Sequence, residues 1–427
     1  MKISELHKIF LKSEGIATDT RKVNINAIFF ALKGENFDGN KFALKAIDSG
    51  AVYSIIDNKK YFTDEKTILV DDVLKTLQNL AKFHRDYLAI PILAITGTNG
   101  KTTTKELIRE VLSIKYNVSA TIGNLNNHIG VPLTLLSMNK KTEIGIVEMG
   151  ANHVGEIKAL CEIANPNFGL ITNIGRAHIQ GFGSFEGVIK AKSEMYDFIN
   201  QRGDAVFLNI DDQLLSKLSV SLKKISYGSK NDADYIAQTI DSNPFLKLNW
   251  QNNIINTKLV GSYNFYNVLA AIAVGSFFEV PDNNIIEAIE NYSPQNNRSQ
   301  LLKTQKNTLI VDAYNANPSS MNLAIKNFVE IKKSGKVLIL GDMFELGNDS
   351  IDEHIKIIDL INNYKFDNVI LVGKDFFRQS ELKQNKYLYF KNTDELVVYI
   401  KNKPLTNKYI LLKASRGIML EKVIEYL

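Results

Sequence analysis

A glycine-rich stretch in the first third of the chain has the residue types and spacing of a phosphate-binding loop. It follows an apolar run at residues 92–95 and precedes a helical pattern at residues 101–114. Glycines let backbone N–H groups turn toward an anion, and a helix N-terminus adds further donors and a favourable dipole. Lys101 could reach the β- and γ-phosphates of a nucleotide, and the Thr102 hydroxyl could bind Mg²⁺. The candidate phosphate contacts are Gly97, Thr98, Asn99, Gly100, Lys101, Thr102 and Thr103.

The loop is shorter than the standard phosphate-loop pattern. That pattern has four residues between its first glycine and the Gly-Lys pair. Here only two residues separate Gly97 from Gly100, and Ile95 stands where the standard glycine would fall. The alternative is a glycine-rich β–α turn without a ligand. The agreement of strand, glycines, lysine, threonine and helix favours phosphate binding by a shortened relative of the loop.

Three segments of different patterning surround this loop and must position its side chains. We predict domains at residues 1–87, 88–296 and 297–427. The first segment has short β-rich runs and two amphipathic helical patterns, at residues 40–49 and 73–87. The second helix is expected to bury one face. That face carries Leu77, Leu80, Ala81 and His84.

The second segment alternates apolar runs with helical patterns, which is typical of a mostly parallel sheet with buried strands. It ends with a predicted buried helix at residues 263–278. Three later runs lack helices between them and are predicted to form an antiparallel edge. These runs are at residues 223–227, 235–240 and 245–250.

The third segment repeats the β–α alternation in an open unit that resembles a dinucleotide-binding fold. Its strands are predicted at residues 308–312, 336–340, 368–372, 387–390 and 409–413. The first β–α turn has no G-x-G-x-x-G, so the pattern gives no reason to expect a bound dinucleotide.

Composition excludes several classes of protein. The 427 residues are 45% hydrophobic and 23% charged, as in ordinary globular proteins rather than disordered or coiled-coil chains. The net charge of +5 from 51 basic and 46 acidic residues is slight, so no nucleic-acid partner is expected. One cysteine excludes an intrachain disulfide. With neither a signal-peptide pattern nor an apolar stretch of the ~20 residues that span a bilayer, we predict a cytoplasmic protein without membrane insertion.

Several motifs beyond the loop occur in the order found in one enzyme family. The loop and these motifs resemble the Mur ligases and their folylpolyglutamate synthetase relatives, and the resemblance covers nearly the whole chain. The further motifs are at residues 123–132, 148–151, 171–175, 191–194, 312–318 and 341–347. The resemblance implies a three-domain α/β architecture: a small N-terminal α/β domain, a central P-loop-type domain with a mostly parallel sheet, and a C-terminal Rossmann-like domain.

The resemblance also implies an activity. The motifs are most similar to those of the family member that adds D-alanyl-D-alanine to UDP-N-acetylmuramoyl-tripeptide in cytoplasmic peptidoglycan precursor synthesis. ATP would convert the tripeptide carboxylate to an acyl phosphate, and ADP and phosphate would be released. The protein is predicted to be a monomer. Whether lysine or diaminopimelate stands third in the peptide is left open.

The family's catalytic residues match Lys101, Glu148, His178 and Lys192. The resemblance implies that Thr102, Glu148 and His178 bind Mg²⁺. It also implies that a CO₂-derived carbamate on Lys192 supports a second Mg²⁺. Taken alone, Glu148 could cap a helix, His178 could be a structural histidine, and Lys192 could pair with Glu194 or with a phosphate.

Three residues match nucleotide contacts of the family: Asn267, Arg298 and Asp312. Arg298 would reach the nucleotide phosphates from across the cleft, and Asp312 would contact the ribose. Without a ligand, Asp312 is a turn residue at a strand end. The family commonly has histidine where Tyr263 stands, so we assign Tyr263 no role.

Candidate substrate contacts lie in all three segments. Thr20 and Arg21 belong to a segment similar to the family's UDP-binding domain. Asn124, Asn126 and Asn127 would face the sugar or the peptide, although asparagine-rich loops also form turns without a ligand. Ser415 and Arg416 would meet a substrate carboxylate, or else cap a helix.

Three other functions remain to be separated from this one. The sister ligase that adds the third residue differs in its acceptor and amino-acid motifs. A P-loop ATPase or nucleic-acid motor fits poorly with the short loop and the absence of a basic stripe. A catalytically silent binding protein would have no need to keep Lys101, Glu148, His178 and Lys192 together.

Overall fold

The computed structural model describes residues 1–63, 65–177, 179–295, 297–381 and 387–427, so the predicted ligand His178 lies outside the described residues. The strands form a four-stranded, a nine-stranded and a six-stranded sheet, with a separate two-stranded hairpin. Among the described residues, no helix combines the length and the apolar character that crossing a bilayer requires. The described 3₁₀ helices are Thr20–Lys22, Gly39–Phe42, Lys59–Tyr61, Ser262–Asn264, Gly347–Asp349, Gln379–Glu381, Arg416–Ile418 and Leu420–Tyr426.

The first segment is a small parallel sheet with helices against it. Its elements are α1 Ile3–Phe10, β1 Ile16–Ala17, β2 Ile28–Phe30, β3 Lys33–Gly34, β4 Phe37–Asp38, α2 Ala43–Asp48, β5 Tyr53–Ile56, β6 Thr67–Leu69 and α3 Val73–Leu88. The sheet order is β1-β2-β5-β6, and β3 pairs with β4 as the hairpin. Helix α2 begins three residues later than predicted, because a 3₁₀ turn precedes it.

Helix α3 ties the first segment to the second. Its predicted apolar face is confirmed, since Leu77, Leu80 and Ala81 are fully buried in a core shared with the middle segment. His84 Nε2 donates to Met138 O at 2.9 Å, and Arg85 Nε donates to Ala164 O at 3.0 Å. The first two segments therefore share one continuous core.

The second segment is built on the nine-stranded sheet. Its elements are β7 Ile92–Thr96, α4 Lys101–Leu112, β8 Val118–Ala120, α5 Gly130–Leu136, β9 Ile144–Glu148, α6 Glu156–Ala164, β10 Phe168–Ile171, α7 Ile179–Phe182, α8 Phe185–Arg202, β11 Ala205–Asn209, α9 Gln213–Leu218, β12 Lys223–Gly228, β13 Tyr235–Asp241, β14 Phe245–Trp250, β15 Asn253–Val260, α10 Phe265–Phe277 and α11 Asp282–Asn291. The strand order is β15-β14-β13-β12-β11-β10-β7-β9-β8.

The antiparallel edge is smaller at its start than predicted and extends further at its end. Strand β12 runs parallel to both β11 and β13, so its prediction as an antiparallel strand was wrong. The parallel strands β11 and β12 are connected by the short helix α9, which sequence patterning missed. Among the described strands of the nine-stranded sheet, only β13, β14 and β15 pair antiparallel. Strand β15 escaped prediction because Ile254, Asn256 and Lys258 are exposed and its apolar residues do not alternate regularly with polar ones.

The third segment is the predicted open α/β unit with one additional strand. Its elements are β16 Gln300–Lys303, β17 Thr308–Asp312, α12 Pro318–Glu330, β18 Lys336–Gly341, α13 Ser350–Asn362, β19 Asn368–Val372, α14 Lys374–Arg378, β20 Leu388–Phe390, α15 Thr393–Asn402 and β21 Tyr409–Lys413. The order is β16-β17-β21-β18-β19-β20, and all pairs except β16–β17 are parallel. Because β17 and β21 are neighbours, Asp312 and Lys413 end adjacent strands.

Candidate active site

A cavity of 1180 Å³ opens where the three segments meet. The phosphate loop and the end of β9 line it from the second segment, and Arg298 and Asp312 line it from the third. The first segment contributes the polar face of α3, where Lys75 and Lys82 lie. Typical ligand pockets measure roughly 300–1,000 Å³, so this cavity has room for more than one substrate.

The loop between β7 and α4 is packed so closely that two of its positions accept only glycine. Gly97 has φ +145°, and a Cβ there would lie 1.9 Å from Thr172 Oγ1. Gly100 has φ +82°, and its Cβ would lie 2.6 Å from Asn267 Oδ1. The loop backbone is further held by Asn99 N, which donates to Asn173 Oδ1 at 3.1 Å. Close packing at two glycines and a hydrogen bond therefore hold the loop backbone in this conformation.

Lys101 lies folded over the loop. Its Nζ donates to Gly97 O at 2.7 Å and to Thr98 O at 3.2 Å. Burial lowers the pKa of Lys101, the charge of Glu148 raises it, and the charge of Arg298 lowers it. The ammonium thus stands at the centre of the anion-binding turn.

Glu148 ends strand β9 beside the first turn of α4. It is 2% exposed, and its Oε2 accepts a hydrogen bond from Thr102 Oγ1 at 3.0 Å. Asn126 Nδ2 donates to Oε1 of the same carboxylate at 2.9 Å. The side chain therefore contacts side-chain groups of the cavity rather than the backbone N–H groups that a helix cap would use.

Lys105 is a residue of this site that sequence reasoning missed. It is fully buried on α4, and its Nζ donates to Thr121 O. The ammonium lies 3.0 Å from Glu106 Oε1 and 3.9 Å from Glu148 Oε2. The only signal in the sequence was its position one helical turn after Lys101, which by itself is typical of a solvated helix face.

Lys192, on α8, is 3% exposed, and its Nζ lies 5.8 Å from the Phe182 ring centroid. Burial, with a smaller effect from Lys101, lowers the pKa of Lys192 to about 7. Glu194, its suggested partner, instead accepts from the backbone N–H groups of Gly155 at 2.6 Å and Lys158 at 2.9 Å at the start of α6. Pairing with Glu194 is therefore not what the structure shows.

Asn267 joins α10 to α4. Its Oδ1 accepts from Thr104 Oγ1 at 3.0 Å, and its Nδ2 donates to Asn264 Oδ1 at 2.9 Å. The residue lines the cavity with its amide already bonded on both sides. Its side chain also packs closely against Gly100, so it supports the loop.

Arg298 lies against an aromatic ring. Its guanidinium carbon is 3.7 Å from the centroid of the Tyr314 ring, within cation–π distance. Arg416 approaches the same ring at 5.4 Å, and its side chain is otherwise exposed. Tyr314 thus gathers two arginines, of which Arg298 lines the cavity.

Asp312 is at the end of β17, as predicted, and it carries a partner that the sequence did not reveal. Lys413 Nζ donates to Asp312 Oδ2 at 2.5 Å. Ser299 N donates to Asp312 Oδ1 at 3.3 Å, and Ser299 Oγ is 2.7 Å from Tyr263 Oη. Burial raises the pKa of Tyr263, so its hydroxyl stays protonated.

The three asparagines after the loop have different environments. Asn126 contacts Glu148, as described above. Asn127 Oδ1 accepts from Ile129 N at 3.1 Å and Gly130 N at 2.9 Å, which makes it a turn residue at the start of α5. Asn124 is exposed on the cavity wall. All three asparagines line the cavity, and Asn127 is in addition the turn residue of the alternative interpretation.

The remaining predicted contacts are not brought to the cavity. Arg21 is exposed and forms an ion pair with Asp19 at 2.6 Å, and neither Arg21 nor Thr20 lines the cavity. Ser415 Oγ is buried, accepts from Phe344 N at 2.9 Å and donates to Ala316 O at 3.3 Å. In this structure Ser415 therefore organises its own loop.

A second polar cluster lies in the third segment, away from the cavity. Asp342, His354 and Asp375 have ligand atoms within 4.8 Å of one another. The Asp342 carboxylate accepts from Asp375 N at 2.9 Å and Phe376 N at 3.0 Å, at the start of α14. His354 Nε2 accepts from Met343 N and its Nδ1 donates to Ser350 O, so both ring nitrogens are used. These bonds describe a helix cap rather than a metal site.

Comparisons with known proteins agree with this architecture. Residues 12–85 match the model described as Mur ligase family, catalytic domain. Residues 95–275 match the Mur ligase middle domain, and residues 297–416 match the Mur ligase, glutamate ligase domain. Three matches therefore follow one another along the chain, one for each large sheet.

Relatives of known name cover nearly the whole chain. UDP-N-acetylmuramoyl-tripeptide–D-alanyl-D-alanine ligase of Bacillus subtilis (strain 168) is 36% identical over 423 residues, which are 96% of this chain and 92% of the relative. The crystal structure of MurF from Acinetobacter baumannii superposes with a TM-score of 0.85 at 29% identity, covering 96% of this chain and 92% of the other.

MurF ligase from Thermotoga maritima, solved in complex with ADP, shares the fold with a TM-score of 0.84 at 24% identity, covering 100% of this chain and 98% of the other. The chain belongs to the Mur ligase family.

Proposed function

We propose that this protein is an ATP-dependent amide ligase that adds D-alanyl-D-alanine to UDP-N-acetylmuramoyl-tripeptide, the reaction named for its full-length relatives. The observation that carries the proposal is the meeting of the phosphate loop, the Thr102–Glu148 pair and Arg298 in one cavity. We also propose domains at residues 1–87, 88–296 and 297–427. The first boundary is supported by the loop between α3, which ends at Leu88, and β7, which begins at Ile92.

The reaction takes place in two steps, because a carboxylate is a poor electrophile and must be activated before an amine can attack it. A carboxylate oxygen of the tripeptide attacks the γ-phosphorus of ATP, the bond to the β-bridging oxygen breaks, and ADP leaves. The amine of D-alanyl-D-alanine then attacks the acyl carbon, loses a proton and expels phosphate. The first step brings two anions together, so positioning and positive charge are the main contributions of the protein.

The chain's own residues provide both contributions. Loop N–H groups and the α4 N-terminus would hold the phosphates, and Lys101 would move from its loop carbonyls to the β- and γ-oxygens. Arg298, held flat by Tyr314, would approach the phosphates from the third segment. Asn267 would keep the loop in place. The Asp312 carboxylate would accept a hydrogen bond from a ribose hydroxyl. Closure of the third segment over the cavity would exclude water from the acyl phosphate.

The oxygen donors in the cavity fit Mg²⁺. Thr102 Oγ1 and Glu148 Oε2 are 3.0 Å apart, and Mg²⁺ prefers oxygen ligands and retains several waters. These two residues, with His178, would hold one ion, which when bound neutralises phosphate charge. A carbamate on Lys192 would support a second ion. Carbamylation requires the neutral amine, and a Lys192 pKa near 7 provides it at physiological pH.

The lining of the cavity supports a proposed arrangement of the substrates. Asn124, Asn126 and the polar face of α3 line the side facing the first segment, where the sugar and peptide would extend. Thr20, Arg21 and Asn127, with Ser415 and Arg416 on the third segment, remain predicted substrate contacts that a ligand complex would test. We further propose a cytoplasmic monomer without nucleic-acid partners.

An ADP-release assay tests the proposal. Turnover should require UDP-N-acetylmuramoyl-tripeptide and D-alanyl-D-alanine together, and the pentapeptide product should appear by mass spectrometry in equal amount to ADP. Turnover with UDP-N-acetylmuramoyl-dipeptide and a single diamino acid would instead indicate the sister ligase. Stimulation by DNA or RNA would indicate a motor, and binding without turnover a silent protein.

A further inference from the structure

An ion pair at the ends of β17 and β21 contains a lysine, Lys413, to which the proposed function gives no role. Asp312 and Lys413 are register partners on these parallel strands, and both line the cavity. Lys413 is 1% exposed, and its Nζ donates to Asp312 Oδ2 at 2.5 Å and to Asn315 O at 3.3 Å. Parallel neighbours bring both strand ends to the same edge of the sheet, so this contact follows from the topology.

A buried ammonium is costly unless it is paired, and removing one partner of such a pair leaves an uncompensated charge. Here the pair fixes the direction of the Asp312 carboxylate. The same carboxylate is held on its other side, because Ser299 N donates to Oδ1 at 3.3 Å. Ser299 Oγ in turn bonds Tyr263 Oη at 2.7 Å, which extends the chain of contacts into the second segment.

The two carboxylate oxygens are not equally occupied. Oδ2 is bound by the Lys413 ammonium, whereas Oδ1 receives one long bond from Ser299. An ionised carboxylate oxygen accepts about two hydrogen bonds, so Oδ1 retains capacity for a hydroxyl donor. The paired lysine also cancels the aspartate charge, which lets an anionic nucleotide approach.

We propose that Lys413 is a positioning residue that aims Asp312 Oδ1 at a ribose hydroxyl of the nucleotide. The inference rests on the proposed function for the identity of the nucleotide. Tyr263, in the second segment, helps to orient the same carboxylate because it bonds Ser299, which in turn donates to Asp312. Neither Lys413 nor Tyr263 needs to touch the transferred phosphate.

The test measures nucleotide binding rather than ligation. Dissociation constants of ADP, 2′-deoxy-ADP and 3′-deoxy-ADP are measured by calorimetry on the full chain and its variants. For the native protein, at least one deoxy analogue should bind about tenfold more weakly than ADP. In K413M and in D312N this preference should fall to below about twofold, and the double variant should lose nothing further. K413R, which keeps the charge, should retain part of it.

Lys408 offers a matched control. It pairs with Asp367 at 2.6 Å just before the start of β21, outside the cavity lining, so K408M removes a lysine–aspartate pair without touching the site. If K413M fails to fold, Y263F deletes only the hydroxyl that anchors Ser299 and should reduce the preference by a factor of two to five.

Two outcomes would overturn the inference. The first is an undiminished ribose preference in K413M or, where K413M does not fold, in Y263F. The second is a loss of ribose preference in K408M equal to the loss in K413M. Failure of the proposed function is a separate result, because it would appear as nucleotide binding with ribose preference but no ligation.

Discussion

The hydroxyl of Thr102 and the carboxylate of Glu148 are 46 positions apart in the chain and form a hydrogen bond of 3.0 Å. Thr102 lies in the first turn of α4, and Glu148 is the last residue of β9. Strands β7 and β9 are parallel neighbours, so the turn after one and the end of the other meet at one edge of the sheet. This contact defines the proposed Mg²⁺ site.

Replacing Glu148 by glutamine should weaken metal binding. The change keeps the shape of the side chain and removes the negative charge. We expect the Mg²⁺ concentration for half-maximal ligation to rise by more than ~10-fold, the scale on which metal sites respond to altered ligand environments. A magnesium titration of the initial rate measures it. E156Q, at another carboxylate of the cavity wall, should leave the titration unchanged. Equal curves for E148Q and the native enzyme would contradict the assignment.

Activity should depend on carbon dioxide through Lys192. The amine reacts with CO₂ when neutral, forming an N–C bond and releasing a proton. The pKa of Lys192 is lowered to about 7, so the neutral form increases as pH rises through that value and the ammonium dominates below it. CO₂-depleted enzyme should lose activity and regain it with bicarbonate, and ¹³C-bicarbonate should give a carbamate NMR signal. K190M, on an exposed position of α8, should keep that signal, whereas K192M should not.

The stacking of Arg298 on Tyr314 should matter for nucleotide binding. A cation–π contact of this kind contributes ~0.5–2 kcal/mol. Replacing Tyr314 by leucine should therefore raise the KM for ATP between ~2-fold and ~30-fold, with a smaller change in KM for D-alanyl-D-alanine. Steady-state kinetics with each substrate varied in turn separates the two. The exposed Tyr87, replaced by leucine, serves as control. An unchanged KM for ATP in Y314L would mean that Arg298 needs no support from the ring.

Stability should fall in mild acid because of a buried histidine pair. His84 Nε2 donates to Met138 O, so its Nδ1 accepts from His7 Nε2 at 3.0 Å, an arrangement that requires a neutral His84 ring. Burial lowers the pKa of both, with His84 lowering that of His7 further. Below the unfolded-state pKa of ~6.5 the unfolded chain takes up these protons first, so stability decreases as pH falls from that value toward the folded-state pKa.

Urea unfolding at several pH values measures this dependence. The contribution of His7 and His84 to the free energy of unfolding should be constant between pH 7 and pH 8. Below pH ~6.5 it should decrease by up to ~1.4 kcal/mol per pH unit for each proton taken up. H84Q keeps a side-chain donor and should flatten the slope, while H128Q, at an exposed histidine, should not. A native protein with equal stability at pH 5 and pH 7 would refute the expectation.

Docking of the first segment on the second should depend on the buried face of α3. Leu77 is fully buried in the shared core. Its replacement by alanine should cost ~2–5 kcal/mol in the free energy of unfolding. Leu44, half-exposed on α2, gives the matched control, with an expected cost below ~1 kcal/mol. Similar losses at both positions would show that α3 is not the main contact between the segments.

Local pattern accounts for the parts of the fold that were predicted well. Strands β7, β17, β19 and β21 were placed to within one residue at either end. They are buried on both faces and therefore read as uninterrupted apolar runs. Helix α9 and strands β15 and β16 were missed, since a six-residue helix and half-exposed edge strands carry too few apolar residues to produce a period.

The sequence by itself determined the phosphate loop, because its strand, glycines, lysine and helix are contiguous and act through local backbone geometry. It also determined the order of the three α/β segments. Only the tertiary structure decided which charges meet. Lys413 and Asp312 are 101 positions apart and become partners because β21 inserts beside β17. Lys105 is placed under Glu148 by the packing of α4 on the sheet, and Arg21 remains outside the cavity. Pairing across a sheet depends on strand order, which apolar runs do not encode.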